Sequence, residues 1–405
     1  MSRSICLYLH AHQPYRVAGY SVFDAGKNSN YFAMVKDGHD INYDVLQKVA
    51  HKSYLKTNEC LLKLLKDHPE FKLALSITGT LLDQLEAWSP QTLDSFKRLV
   101  ATGRVEILAE TYYHSLAFFY SMFEFEKQVH MHHQKIQDIF GIVPVVFRNT
   151  ELAYNNDVAA WADQAGYKGI VAEGWDRILN QQSPNHVYRP INTKNIRLLL
   201  KNYKLSDDIA FRFSDRSWAE WPLTVKKFTH WLNALPSDQQ LVNLFMDYET
   251  FGEHQWKEHG IFDFLTALPA EFGKFNGNMF VTPSEAIDKF EPKGQIDAPQ
   301  TITWADAERD LTAWLGNTMQ QQAINSLYNL EEIVLTSGDN TIINDWRKLQ
   351  TSDHFYYMCT KWFTDGDVHA YFSPYDSPYD GFVNYMNVLR DLKLRILDAH
   401  KERSK

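Results

Sequence analysis

Five carboxylates and two histidines share one position in this chain: they sit where short apolar runs end. His10 and His12 close "ICLYLHAH", Glu110 closes "RVEILAE", Glu151 closes "VPVVFRNTE" and Glu173 closes "GIVAEG", while Asp247 and Glu249 close "LVNLFMDYE". Two carboxylates facing each other across a cleft are the equipment of glycoside hydrolysis, where one serves as acid and base and the other stabilises or attacks the anomeric carbon. The surrounding residues suit a sugar. Trp175, Trp218, Trp221, Trp256 and Trp304 offer flat faces of the kind that stack on a pyranose, and histidine and acid side chains hydrogen-bond its hydroxyls.

Competing chemistries lack their signatures. There is no G-x-S-x-G elbow, no Walker loop and no G-x-G-x-x-G following an apolar run, which removes acyl transfer, nucleotide and dinucleotide readings. Histidines also cluster at 130–133 and 253–259, but H-E-x-x-H is absent, and the 130–133 group falls mid-helix, away from the face where the acids gather. Neither a metal nor any other cofactor is expected.

The elements that must position these residues follow from the apolar pattern. The runs above, with "FKLALSIT" and "IRLLLKNY" and a shorter one in "NMFVTP", are rich in Leu and β-branched residues throughout, as strands covered on both faces require. Between them, "SPQTLDSFKRLVATG", "FEFEKQVHMHHQKIQDIFG" and "NDVAAWADQAG" are amphipathic and stop at Gly103, Gly141 and Gly166. Strand, helix and glycine in repetition predict an α/β fold with a parallel sheet, closed as a barrel or open and doubly wound. In either arrangement the strand ends lie on one face, where such folds place their active sites. After the polar stretch "EPKGQIDAPQ", read as a linker, only helical spacing remains. The expected organisation is a catalytic domain over 1–300 and a C-terminal helical bundle over 301–405.

Composition sets the outer limits. Of the 405 residues, 44% are hydrophobic and 22% charged, which suits a folded chain with a large core. A net charge of −9 without a Lys/Arg cluster gives no attraction for nucleic acid or anionic lipid. Cys6, Cys60 and Cys359 are too few and too scattered for a disulfide framework, and the apolar run before His10 is too short for a signal peptide. The setting expected is cytoplasmic, with no membrane contact.

Five short regions, in order, resemble those of glycoside hydrolase family 57, the retaining α-glucan enzymes that include α-amylases, 4-α-glucanotransferases and branching enzymes. They are "LHAHQPYR" (9–16), "GRVEILAETYYHS" (103–115), "FRNTELAYNND" (147–157), "MDYETFGEHQ" (246–255) and "LQTSDHFYYM" (349–358). The resemblance implies an irregular seven-stranded (β/α) barrel followed by a C-terminal α-helical region contributing to the cleft. Glu151 matches the family's nucleophile, and Asp247, first in the Asp-x-Glu-x-x-Gly pattern, matches its general acid/base. It further implies that His10 and His12 line the cleavage point, that Glu249 supports Asp247, and that Asp353 binds sugar. For the acid role Asp247 must hold its proton near neutral pH, and a buried site beside an anionic Glu151 and an anionic Glu249 would raise its pKa by desolvation and like-charge repulsion. His114, Arg148 and His254 stand where some members carry Glu, Trp and Trp, so they and the aromatic Trp175 and Trp221 complete the expected substrate-binding set. The compact length is similar to that of the intracellular α-amylase group, whose substrate would be an α-glucan or maltooligosaccharide. Transfer or branching uses the same two carboxylates and stays open. A metal-dependent polysaccharide deacetylase and a non-catalytic glucan-binding protein are the readings from other classes.

Overall fold

The structure is a computed structural model and describes residues 2–33, 35–36, 39–361 and 373–403. Every one of the apolar runs forms a strand: β1 (Ser4–Ala11), β2 (Leu73–Ile77), β3 (Val105–Ile107), β4 (Val146–Arg148), β5 (Gly169–Glu173), β7 (Arg197–Lys201) and β8 (Leu241–Asp247). The run in "NMFVTP" forms the two-residue β9 (Met279–Phe280), and two strands not expected from the sequence, β6 (Val187–Pro190) and β10 (Gln295–Ile296), join them. The glycines that stop the intervening helices take left-handed backbone, with φ of 71° at Gly141 and 84° at Gly166.

These strands form two five-stranded sheets, not one closed barrel. One has the order β8-β1-β2-β3, with β9 also paired to β1, and the other the order β10-β6-β7-β5-β4. All pairs are parallel except β6 with β7. The reason the ladder is interrupted is local. β3 and β4 are each three residues long, and they meet only through the Ala109–Phe147 bridge, in which Arg148 N–H donates to the Ala109 carbonyl at 2.8 Å. At the other junction Asn202, leaving β7, donates from its N–H to the Asn243 carbonyl at 2.9 Å.

Alternation along the strands explains where the site lies. Side chains two apart share a face, and one apolar cluster takes Cys6 and Tyr8 from β1, Ala74 from β2, Leu108 just past β3, Val146 from β4, Val171 from β5, Leu199 from β7 and Leu241 with Phe245 from β8. Two residues onward, the same faces carry His10, Ser76, Glu110, Arg148, Glu173, Lys201 and Asp247. A dry core thus continues into a polar layer at the carboxyl ends of the strands. Register adds precision. His10 is the direct partner of Asp247 on one side and of Ser76 on the other, and Glu173 is the partner of Lys201.

The chain divides into two compact units, the first made of Met1–His12, Gln47–Glu110 and Met131–Trp304, the second of Gln13–Leu46, Thr111–His130 and Ala305–Lys405. The first therefore continues past 300, and the helical unit is larger than 301–405. Physical reasons are visible in each. Within the first, the stretch read as a linker continues into 298–304, which runs antiparallel to the chain after Glu151. There Tyr154 and Ile302 exchange backbone hydrogen bonds of 2.9 Å. Within the second, the helices Thr318–Tyr328, Asn340–Lys348 and Pro378–Arg403 share one core, holding Trp314, Trp346 and Leu392, with Val17, Tyr20, Tyr31 and Phe32 from the N-terminal segment. Tyr31 O–H donates to Asp391 at 2.6 Å, and Arg347 pairs with the buried Glu124 at 2.9 Å. No helix among the described residues is long and apolar enough to cross a membrane.

Candidate active site

Glu151 stands in a tight turn, Thr150–Leu152, immediately after β4. Its backbone is left-handed, with φ 59° and ψ 24°, and Leu152 follows at φ 51°. Such conformations are costly for residues with a Cβ and persist only where neighbours over-determine them. Trp304 is that neighbour. Its backbone N–H donates to the Glu151 carbonyl at 3.3 Å, and its indole Nε1–H donates to Glu151 Oε2 at 2.8 Å. The carboxylate is therefore aimed from both its main chain and its side chain.

Asp247 is the last residue of β8, half-buried where the six residues before it are buried. Next to it, in register, His10 is 3% exposed, and its Nδ1 lies 2.8 Å from Ser76 Oγ and 3.6 Å from Glu110 Oε1. Ser76 Oγ also meets Tyr8 O–H at 2.6 Å, which ties this layer to the core beneath. His12 Nδ1 contacts Thr78 Oγ1 at 2.9 Å, and Thr78 caps the helix Gly79–Trp88. The His10 ring lies 6.3 Å from that of Trp304 and 6.1 Å from that of His12. Through Trp304 and His10, the surroundings of Glu151 thus run on to the partner strand of Asp247.

Glu249 departs from its expected charge. It is 7% exposed, and burial first, then the charge of Asp247, pushes its carboxyl up to about 8 despite the hydrogen bond donated by Tyr54. It is therefore largely protonated at neutral pH, so like-charge repulsion on Asp247 from an anionic Glu249 is not supplied there. A linkage consequence follows. The native chain keeps a proton that the unfolded chain releases near 4.5, so stability is fully present below that pH and declines as pH rises to about 8. Glu249→Gln should flatten the decline between these values, as measured by urea unfolding across pH; an unchanged slope would contradict the buried, protonated Glu249.

The remaining expected residues fall in three settings. Arg148 is fully buried, with Nη1 at 3.4 Å from Glu110 Oε2. His254 follows Glu249 in one loop, donating its backbone N–H to the Glu249 carbonyl at 2.9 Å, and burial pushes its imidazole down to about 4, so it is neutral at pH 7. Trp175, just past β5, has the Arg177 guanidinium 5.5 Å from its ring, whereas Trp221 is 42% exposed in a loop beneath Arg216. His114 and Asp353 belong to the second unit. That unit brings them together: Ser352 N–H donates to the His114 carbonyl at 2.9 Å, and a ring nitrogen and a carboxylate oxygen of the two lie within 4.8 Å.

Sequence reasoning missed three contributors. Lys201 is 4% exposed, its Nζ 3.0 Å from Asp207 and 3.5 Å from Glu173; the alternation from Leu199 was the available signal. Tyr54 was masked by distance along the chain. His132 corrects the expectation for the 130–133 group: it is fully buried, accepts from Glu110 N–H at 3.4 Å on Nδ1 and meets the Ile77 carbonyl at 3.0 Å through Nε2. It thus braces two strand ends at the site and does not stand away from them.

Comparison with known proteins bears on family and fold. The sequence profile of glycosyl hydrolase family 57 matches residues 6–299. A Methanocaldococcus jannaschii protein provisionally named an alpha-amylase is 41% identical over 403 residues, covering 97% of this chain and 84% of its own. Against more distant curated relatives, such as an alpha-amylase of Pyrococcus abyssi at 23% identity, the chain spans only 40% of their length. Among solved structures, the GH57-type branching enzyme from Pyrococcus horikoshii superposes with a TM-score of 0.68 at 14% identity, over 98% of this chain and 88% of that one. The AmyC alpha-amylase from Thermotoga maritima gives 0.64 at 14%, over 100% and 94%. These two superpositions show the shared fold, and the profile together with the 41% identical relative shows the family: the chain belongs to glycosyl hydrolase family 57.

Proposed function

We propose that the protein is a retaining α-glucan hydrolase, similar in action to α-amylases, that cleaves α-1,4 linkages with Glu151 as nucleophile and Asp247 as general acid and base. The observation that carries this reading is the restraint on Glu151: a left-handed backbone held in place by Trp304, whose indole N–H is spent on the carboxylate. A carboxylate with only a structural task would not need that strain.

In the first step Glu151 attacks C1 while Asp247 gives its proton to the glycosidic oxygen, so the C1–O bond breaks, a glycosyl ester forms and the shortened chain departs as an alcohol. In the second, Asp247 takes a proton from water, the resulting hydroxide displaces Glu151, and two inversions leave the anomeric configuration unchanged. His10, fixed by Ser76 and paired in register with Asp247, suits a hydroxyl of the sugar being cleaved. The same reading treats the two sheets, joined at Ala109–Phe147 and Asn202–Asn243, as an irregular seven-stranded barrel whose polar layer is the floor of the cleft. A cytoplasmic setting goes with it, supported by buried free thiols at Cys6 and Cys359.

Transfer to a sugar hydroxyl differs only in the acceptor at the second step, and a branching enzyme is among the structures of similar fold. Incubation with a maltooligosaccharide series separates the outcomes. Shorter sugars alone, undiminished by a chelator, are the expected result; a ladder of longer products would assign transfer, and loss of activity on chelation would favour a metal-dependent reaction.

A further inference from the structure

A buried ammonium is expensive unless paired, and Lys201 is paired, with Asp207 at 3.0 Å and Glu173 at 3.5 Å. Pairing explains how the chain tolerates Lys201. It does not explain why a cation sits there, since an apolar residue at the same position would pack on Leu199 and the core without needing two acids. The third neighbour supplies a reason: Lys201 Nζ lies over the Trp304 ring, 5.6 Å from its centroid, and the Arg148 guanidinium lies over the same ring at 5.3 Å. Arg148 is in turn held by Glu110. Two desolvated cations therefore converge on the one indole whose N–H is donated to Glu151 Oε2 at 2.8 Å.

We propose that Lys201 is a positioning residue for the nucleophile, acting through Trp304: with Arg148 it fixes the indole plane and draws electron density from the N–H, which strengthens the hydrogen bond that aims Glu151 and keeps it ionised. Cation–π attraction grows as the cation loses its water, and Lys201 and Arg148 are both buried against a ring that is itself partly buried. A hydrogen bond to the charged form of a carboxyl favours that form. Both effects act on a group that must be an anion and must be directed at C1. The inference rests on Glu151 being the nucleophile, and the chemistry of Lys201 itself is unchanged through the cycle: no bond to it forms or breaks.

The test compares Lys201→Met, Lys201→Arg and Trp304→Phe in the full chain, with Glu151→Gln as the reference for the underlying reading. With maltooligosaccharides, Lys201→Met is expected to lower kcat about tenfold or more with KM within about threefold, the pattern of a misaligned reacting group. The acid limb of its pH–rate profile should move to higher pH. Lys201→Arg should restore much of both, and Trp304→Phe, which removes only the N–H donor and part of the ring, should reproduce the acid-limb shift. A Lys201→Met enzyme that folds, by circular dichroism, and keeps the wild-type kcat and acid limb would overturn the proposal while Glu151→Gln remained inactive. Should Lys201→Met not fold, an unshifted acid limb in Trp304→Phe would overturn it equally. An active Glu151→Gln would instead overturn the reading on which it rests.

Discussion

Glu151→Gln should lose turnover on maltooligosaccharides by at least about a thousandfold, the scale seen when an attacking group is removed from an organised site, while its unfolding transition stays close to that of the wild type. The amide keeps the size of the side chain and can still accept from Trp304 Nε1, so the turn at Thr150–Leu152 has no reason to open. Backbone conformation makes a second comparison possible at the same position. Glu151→Ala and Glu151→Gly both remove the carboxylate and both should be inactive, but alanine inherits the strain of φ 59° and glycine does not. Glu151→Gly should therefore be the more stable of the two by about 1 kcal/mol, measured by chemical denaturation. Equal stability would mean that the left-handed turn relaxes once the carboxylate and its hydrogen bond from Trp304 are gone.

Asp247→Asn should cost about 10² to 10⁴ in rate on unactivated glucans, the usual contribution of a positioned acid and base. The loss should depend on the leaving group. An α-maltosyl fluoride needs no proton to depart, so its first step should survive in the variant and the glycosyl-enzyme should accumulate. Azide, a nucleophile that needs no general base, should then release the sugar as an α-glycosyl azide. A variant equally slow on the fluoride and on maltooligosaccharides, and unaffected by azide, would remove Asp247 from the acid/base role.

Much of the scaffold was readable from the sequence because its determinants are local. Runs such as "LALSI" and "LVNLF" have no polar face and must be covered on both sides, and the change of residue type after Phe245 and Tyr8 marks where the core ends. What could not be read depends on distances between segments. β3 and β4 are three residues long, and nothing in their composition says that they meet through a single bridge and leave two sheets. The polar stretch before Trp304 carries the composition of a linker, yet the chain just beyond it runs beside Tyr154, because the hydrogen bonds involved are made by backbone and are blind to sequence. The charge of Glu249 was misjudged for a related reason. Its proximity to Asp247 is visible in the spacing, but its burial against Tyr54 is a tertiary fact, and desolvation outweighs everything else acting on it.

Trapping of the glycosyl-enzyme tests the account most directly. With a 5-fluoro-α-maltosyl fluoride, whose C5 fluorine slows both steps while the fluoride leaving group keeps the first one fast, digestion and mass spectrometry should find one sugar adduct on the peptide containing "FRNTELAYNND", with fragmentation locating it on Glu151. An adduct on Asp247 or another carboxylate, or turnover of maltooligosaccharides that releases the β-anomer first with no adduct at all, would contradict it.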